Sequence, residues 1–271
     1  MKFDTALRLS FAALSLASLA GCGRRESIAD AAVRAQVLHV ALKAEPRDLD
    51  PQIATSQEEF MLTKALMEGL TELDPKSARP TPGVAERWEI SIDAKTWTFH
   101  LRGDARWSNG DPVTAGDFVY GLRRMLTAEL GTEYAPQLYC LVGAEDFHTG
   151  KRRDFDTVGA KAAGDRTLVL TLKHPVPYLP ALTLLPAWFP AHRPTIEKHA
   201  ALQRRGTAWT RPGNHVGNGA FILAEWRPNQ AVRMVRSPTY WDRANVRLAE
   251  VVYHPVENAA TQEAMFRAGQ L

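Results

Sequence analysis

Hydrophobic and polar residues alternate along parts of the chain at spacings that predict strands. Residues Thr96–Leu101 alternate strictly, which puts Trp97, Phe99 and Leu101 on one face of a half-buried strand. The apolar run Val37–Leu42 predicts a first strand near the beginning of the chain. We expect these apolar faces to pack into the interior.

Two other segments carry the period and the capping residues of helices. Ser56 and Glu59 have the Ser-x-x-Glu form of a capping box, with apolar residues behind them at helical spacing and Gly69 placed to stop the helix. Thr114 caps a second predicted helix that extends to about Leu126 and has an apolar inner stripe. Strands that alternate with helices in this way indicate an α/β fold.

The second half of the chain continues the mixture of strands and helices. Strands are predicted at residues 167–172, 221–226, 231–235 and 248–253, and a helix at residues 259–268. Between the first of these strands and the others, six prolines occur at residues 175–194. Because proline interrupts regular hydrogen bonding, this segment is predicted to be an extended, irregular crossing between lobes.

The first 21 residues have the order of a secretory signal. Lys2 and Arg8 accompany an apolar stretch at residues 7–20 that is too short to favour a membrane span. The stretch ends in the string LAGC, which resembles the bacterial lipoprotein box, so Cys22 is the predicted lipidation site. Residues 1–21 are then a cleaved signal, and residues 22–36 a flexible spacer behind the lipid anchor.

Charge and motifs narrow the chemistry. The chain has 33 Lys and Arg against 30 Asp and Glu, without a long run of one sign, so nucleic acid is not an expected partner. No nucleophile elbow, zinc motif or phosphate loop occurs in the sequence, and therefore no catalytic residue, metal ligand or cofactor is assigned. A binding protein is favoured over an enzyme, with an exported hydrolase or a structural lipoprotein as alternatives.

Several tryptophan-containing strings carry a family resemblance. They are PGVAERW at residues 82–88, WTFHLR at 97–102 and WSNGDPVTAGDFVY at 107–120. In this order they resemble the signature of the family 5 extracytoplasmic solute-binding proteins of ABC importers. The strings WTRPGN at residues 209–214, NGAF at 218–221 and RSPTYW at 236–241 resemble the oligopeptide-binding branch.

The resemblance implies a fold and its division into lobes. The family has an α/β clamp of the type II periplasmic-binding-protein class, in which two lobes close on the ligand. By this resemblance, residues 37–69 and 190–271 form the main lobe. Residues 70–189 form a smaller inserted lobe that carries the signature.

The resemblance also implies a function without catalysis. An oligopeptide would be bound in an extended conformation and delivered to the permease subunits of the importer. The protein would act as a monomer in the periplasm or at the cell surface, attached to the membrane by its lipid. Alternatives with the same fold are a dipeptide, a murein peptide, a nickel chelate or haem as ligand.

Five residues are candidate ligand contacts by the resemblance. Ala54, Thr55, Ser56 and Gln57 lie where the oligopeptide receptors offer backbone groups to the peptide, and only this backbone role carries over. Tyr134 matches an aromatic residue that lines the cleft, although an ordinary surface or core aromatic is an equal alternative. The acidic group that pairs with the peptide amino terminus belongs to a later domain of the family.

The length of the chain differs from that of the family. Family members are roughly twice as long as these 271 residues, and the last predicted helix leads towards the third domain of the family. We therefore expect a truncated product that lacks the C-terminal domain and with it the opposing jaw of the clamp. Such a chain is expected to fold in part without closing on a peptide.

Overall fold

A computed structural model describes residues 27–271 of the chain, and its centre is the strand that alternates most strictly. The strands of the structure are β1 (Val37–Leu42), β2 (Thr71–Leu73), β3 (Pro80–Pro82), β4 (Ala85–Ile90), β5 (Thr96–Leu101), β6 (Ala160–Ala162), β7 (Thr167–Thr171), β8 (Phe221–Arg227), β9 (Ala231–Arg236) and β10 (Glu250–Pro255). The α-helices are α1 (Ile28–Ala35), α2 (Gln57–Leu66), α3 (Ala115–Met125), α4 (Ala144–His148), α5 (Leu179–Leu182), α6 (Arg193–Lys198) and α7 (Ala259–Arg267).

One sheet combines the beginning and the end of the chain. Its order is β1-β10-β9-β8, with β1 parallel to β10 and the remaining pairs antiparallel. The parallel register places Val40 opposite Tyr253. Parallel neighbours need a long crossover connection, and here the crossover includes the whole of the second sheet.

The second sheet is antiparallel throughout, in the order β4-β5-β7-β6. In β5, the exposed fractions of Trp97, Phe99 and Leu101 are 5%, 0% and 2%, as the alternation predicts. The helix α3 packs against β6 and β7 with Phe118 and Leu122 in the core. These apolar faces form one continuous core that extends to the first sheet.

Both predicted capping boxes are present and confirm the starts of their helices. The Ser56 hydroxyl accepts a hydrogen bond from the Glu59 N–H, and Thr114 and Asp117 form the same arrangement at α3. The helix α2 ends at Leu66, before the predicted stop. Gly69 has a different role, because a Cβ atom there would lie 2.4 Å from the Thr183 carbonyl oxygen.

Two irregular segments differ from the prediction. The proline-rich segment at residues 175–194 was expected to be extended, yet it contains the short helix α5 and the start of α6. Proline is tolerated in the first turn of a helix, where its missing N–H would have no intrahelical partner, and it lies there in both helices. The prolines here therefore start helical turns.

The spacer predicted at residues 22–36 is helical over most of its described part. Ser27 caps α1 by accepting a hydrogen bond from the Asp30 N–H. The Ala29 N–H donates to the Gly269 carbonyl oxygen at 2.8 Å, which ties α1 to the end of α7. A flexible spacer is thus wrong for residues 28–35, because a cap and a contact with a remote segment both fix them.

Candidate functional site

The chain enters the predicted contact segment at residues 54–57 through a turn fixed by two aspartates. The Asp48 carboxylate accepts the Leu49 N–H at 2.7 Å, and the Asp50 carboxylate accepts the Gln52 N–H at 3.1 Å. The Asp50 carbonyl oxygen accepts the Ala54 N–H at 3.0 Å. Aspartate favours such turns because its side chain binds the backbone two residues on.

A buried carboxylate then holds the segment itself. Glu59, which is 3% exposed, accepts the N–H groups of Thr55 at 2.8 Å and Ser56 at 3.1 Å. Its other oxygen accepts the Arg47 N–H at 3.1 Å. The donors of Thr55 and Ser56 are therefore already used by the protein.

The groups that remain in this segment are acceptors. Within residues 27–271, no hydrogen bond reaches the carbonyl oxygen of Ala54 or of Thr55. The Ala54 residue is buried, whereas Thr55 and Ser56 are half-buried and Gln57 is exposed. A ligand with N–H donors can satisfy these two carbonyls, so the backbone role predicted for the segment is that of an acceptor.

Tyr134 lies close to this segment. Its ring packs against that of Phe60, one turn into α2, with the ring centroids 5.7 Å apart and the planes tilted by 49°. Tyr134 is half-buried against the core, and no described residue hydrogen bonds to its hydroxyl group. The structure thus brings Tyr134 and residues 54–57 to the same end of α2, with one face of the ring against the core.

An ion pair behind the segment was not predicted. The Arg124 guanidinium on α3 donates to both carboxylate oxygens of Asp50, each at 2.6 Å, and to Gln52 Oε1 at 2.8 Å. Arg124 is 0% exposed and Asp50 is 1% exposed. The helical period placed α3 correctly, but only the pairing of these two residues, 74 apart in sequence, would have indicated a buried charge.

A neutral histidine lies beside this pair. The His215 ring stacks on Trp209 with an interplanar angle of 13°, and within the described part of the chain its Nε2 atom has no hydrogen-bond partner. Burial lowers the pKa of His215 to about 4, although the nearby Asp50 carboxylate favours the charged form. The imidazole is therefore uncharged at neutral pH.

Glu68 lies where the chain leaves the first sheet for the second. The Tyr240 hydroxyl donates to its carboxylate at 2.6 Å and the Trp241 Nε1–H at 2.7 Å. Arg102 stacks on the Trp241 ring, 3.2 Å from its centroid. Burial raises the pKa of Glu68 to about 7, while the two donors favour its charged form.

The larger cavities lie away from residues 54–57. Cavities of about 520 and 590 Å³ follow α3, and both have Arg123 and Arg153 in their walls. The cavity beside Gln57 has a volume of only about 120 Å³. Ligand pockets usually measure about 300–1,000 Å³, so residues 54–57 and Tyr134 form one wall of a site.

Other predicted features fall outside this wall. Within residues 27–271, no group of three or more His, Cys, Asp or Glu is placed to hold a metal ion. Cys22 lies outside the described residues. The helices described between residues 27 and 271 are all too short or too polar to span a membrane.

Comparison with known proteins identifies the family. The model of the bacterial extracellular solute-binding proteins, family 5 Middle, matches residues 79–271. The chain belongs to this family. As the signature strings predict, it is related to the oligopeptide-binding branch: the periplasmic oligopeptide-binding protein OppA of Escherichia coli is 40% identical over 230 residues, which are 84% of this chain and 41% of that protein.

Two further family 5 proteins extend the comparison. The dipeptide-binding protein DppE of Bacillus subtilis is 37% identical and is matched over 98% of this chain and 48% of its own length. The structure of Haemophilus influenzae OppA in complex with RPPGFSPFR has 36% identity and a TM-score of 0.81, over 87% of this chain and 45% of that one. The fold is therefore that of type II periplasmic binding proteins, and the chain spans about half the length of these relatives.

Proposed function

We propose that this family 5 chain belongs to the substrate-binding lipoprotein of an ABC importer. It captures oligopeptides in an extended conformation and delivers them to the permease subunits in the membrane. The observation that carries the proposal is the pair of unused carbonyl oxygens at Ala54 and Thr55, next to the half-buried ring of Tyr134. The names of the relatives, which include oligopeptide-binding and dipeptide-binding proteins, support the same class of ligand.

The geometry suits recognition of a peptide backbone. An extended peptide donates N–H groups along one edge, as an added strand does, and the two carbonyls accept them whatever the peptide sequence. Glu59 keeps the Thr55 and Ser56 N–H groups out of this contact and holds the carbonyls in place. The Tyr134 ring offers an apolar face to peptide side chains.

The proposed division into lobes follows the two sheets. Residues 37–69 and 190–271 contain β1 and β8 to β10, which pair in one sheet, and we assign both segments to the main lobe. Residues 70–189 contain β4 to β7 and α3, which we assign to the smaller lobe. Arg124 and Asp50 then join the two proposed lobes directly behind the contact segment.

The proposed contacts can be tested on the whole chain by NMR titration with trialanine. We expect weak binding, because one wall of the site is described, with shifts concentrated at residues 54–57. A trialanine analogue methylated at its peptide nitrogens lacks the N–H donors and is expected to lose these shifts. Equal binding of both peptides would contradict the backbone contact, and shifts with a murein tripeptide alone would assign the ligand to that alternative.

Tyr134 gives a second test. Tyr134→Ala is expected to weaken trialanine binding by about tenfold, since the loss of an aromatic contact is worth roughly 1 kcal/mol. Tyr178→Ala, which removes a ring that is 60% exposed elsewhere on the surface, is the matched control and is expected to leave binding unchanged. If both variants bind alike, Tyr134 is a packing residue only.

The proposed anchor rests on Cys22 and needs a separate experiment. We expect the full chain, expressed in a bacterium, to fractionate with membranes and to show the added mass of acyl chains on Cys22. Cys22→Ser is expected to lose both the added mass and the membrane association. A monomer at the periplasmic or outer cell surface is the proposed state, and a Cys22→Ser product that stays membrane-bound would argue against the lipid as its anchor.

A further inference from the structure

Two histidines far apart in sequence meet on the outer face of the first sheet. His39 on β1 and His254 on β10 approach within 2.9 Å, measured from His39 Nδ1 to His254 Nε2. The parallel register places His39 opposite Val252 and His254 opposite Ala41, so the histidines are diagonal neighbours on one face. The neighbouring residues Val251 and Tyr253 point into the core on the other face, and both histidines stay half-buried.

Ring orientation and tautomer make a lone pair available. The two ring planes differ by only 20°, so both nitrogen lone pairs lie near one plane. The backbone of Gln230 lies within hydrogen-bonding reach of the His254 ring, which suits a proton on His254 Nδ1 and a lone pair on Nε2. His39 then donates its Nδ1–H to that lone pair. A shift of this proton to His39 Nε2 through water leaves two neutral imidazoles with lone pairs side by side.

The distance between the nitrogens selects a class of metal. Two ligands at metal–nitrogen bonds of about 2.0–2.1 Å that are 2.9 Å apart subtend an angle of about 90° at the ion. That is the angle between neighbouring ligands in tetragonal or square-planar coordination, which Cu²⁺ and Ni²⁺ adopt. A tetrahedral Zn²⁺ site needs a wider separation.

We propose that His39 and His254 form a two-histidine binding site for a divalent transition metal, with Cu²⁺ preferred over Ni²⁺ and Zn²⁺. No group of three or more potential ligands forms in the described part of the chain, so water or a small ligand occupies the other positions of the ion. The strands β1 and β10 hold the pair through their backbone hydrogen bonds, which fixes the nitrogens before the metal arrives. This site goes beyond the proposed peptide binding and does not depend on it.

Titration of the full chain with CuCl₂, NiCl₂ and ZnCl₂ by calorimetry tests the site. We expect one Cu²⁺ per chain at this site and the affinity order of copper, then nickel, then zinc. His39→Gln and His254→Gln are each expected to weaken copper binding by about 10- to 100-fold, because each removes one of two ligands. His174→Gln, which replaces an exposed histidine, is the control and is expected to change nothing.

Electron paramagnetic resonance of the wild-type copper complex provides a readout that does not depend on how the variants fold. Two equivalent imidazole nitrogens are expected in the hyperfine pattern, and one in either single variant. Circular dichroism without metal checks that each variant keeps its fold. Copper binding that both variants retain at full strength, or a spectrum without imidazole nitrogens, would overturn the proposal and leave the pair as a hydrogen bond only.

Discussion

Replacing Arg124 by methionine is expected to reduce the free energy of unfolding by about 3–5 kcal/mol. The substitution removes both hydrogen bonds to Asp50 and the bond to Gln52, and it leaves the Asp50 carboxylate buried without a partner. Breaking a buried pair costs more than the pair contributes, because the remaining charge keeps its desolvation cost. With a typical total stability of about 5–15 kcal/mol, the variant is expected to be marginally folded.

Urea denaturation followed by tryptophan fluorescence measures this effect, and the chain offers a matched control. Arg123 precedes Arg124 on α3 but is exposed, so Arg123→Met is expected to change the stability by less than about 0.5 kcal/mol. The double variant of Arg124→Met with Asp50→Asn is expected to regain part of the loss, since it removes the unpaired charge. If Arg124→Met costs no more than Arg123→Met, the buried pair is not the connection described here.

The ion pair also shows where sequence reasoning stops. Local signals gave β5 from its alternation and both capped helices from Ser56 and Thr114, because these elements depend on neighbours within a few residues. The pairing of β1 with β10 depends on residues more than 200 positions apart. Nothing in the local pattern of Val37–Leu42 selects that partner.

The errors have the same origin. Polar, alanine-rich residues at 22–36 were interpreted as a flexible spacer, although Ser27 and Asp30 form a cap that the sequence already contained. The contact of Ala29 with Gly269 that accompanies this helix was beyond reach, because it joins opposite ends of the chain. In the contact segment, resemblance pointed to the backbone of residues 54–57. Only the structure shows that Glu59 occupies two of its donors.

The last prediction concerns two buried groups whose effects on stability oppose each other. Burial raises the pKa of Glu68 to about 7, so the folded chain binds this proton more tightly than the unfolded chain, and stability rises as the pH falls from about 7 to 4.5. Burial lowers the pKa of His215 to about 4, so the unfolded chain binds this proton more tightly, and stability falls as the pH drops from about 6.5 to 4. Each effect is on the order of 3 kcal/mol.

These two contributions largely cancel in the wild-type chain, and single substitutions are expected to separate them. Glu68→Gln removes the stabilisation at low pH, so the variant is expected to lose about 3 kcal/mol between pH 7 and pH 4.5 relative to its own value at pH 7. His215→Phe keeps the stacking on Trp209 and removes the opposing term, so that variant is expected to gain stability over the same interval. The measured quantity is the slope of unfolding free energy against pH, because each substitution also changes the absolute stability.

Exposed residues of the same types provide the controls for these slopes. Glu86→Gln and His174→Phe change side chains on the surface, and both are expected to keep the wild-type profile. Slopes of the same sign in Glu68→Gln and His215→Phe would contradict the assignment of opposite protonation changes to the two groups. Slopes of opposite sign would show that the crossing at Glu68 and the ion-pair region at His215 together keep the stability of the chain nearly constant between pH 4.5 and 6.5, because one group takes up a proton on folding where the other releases one.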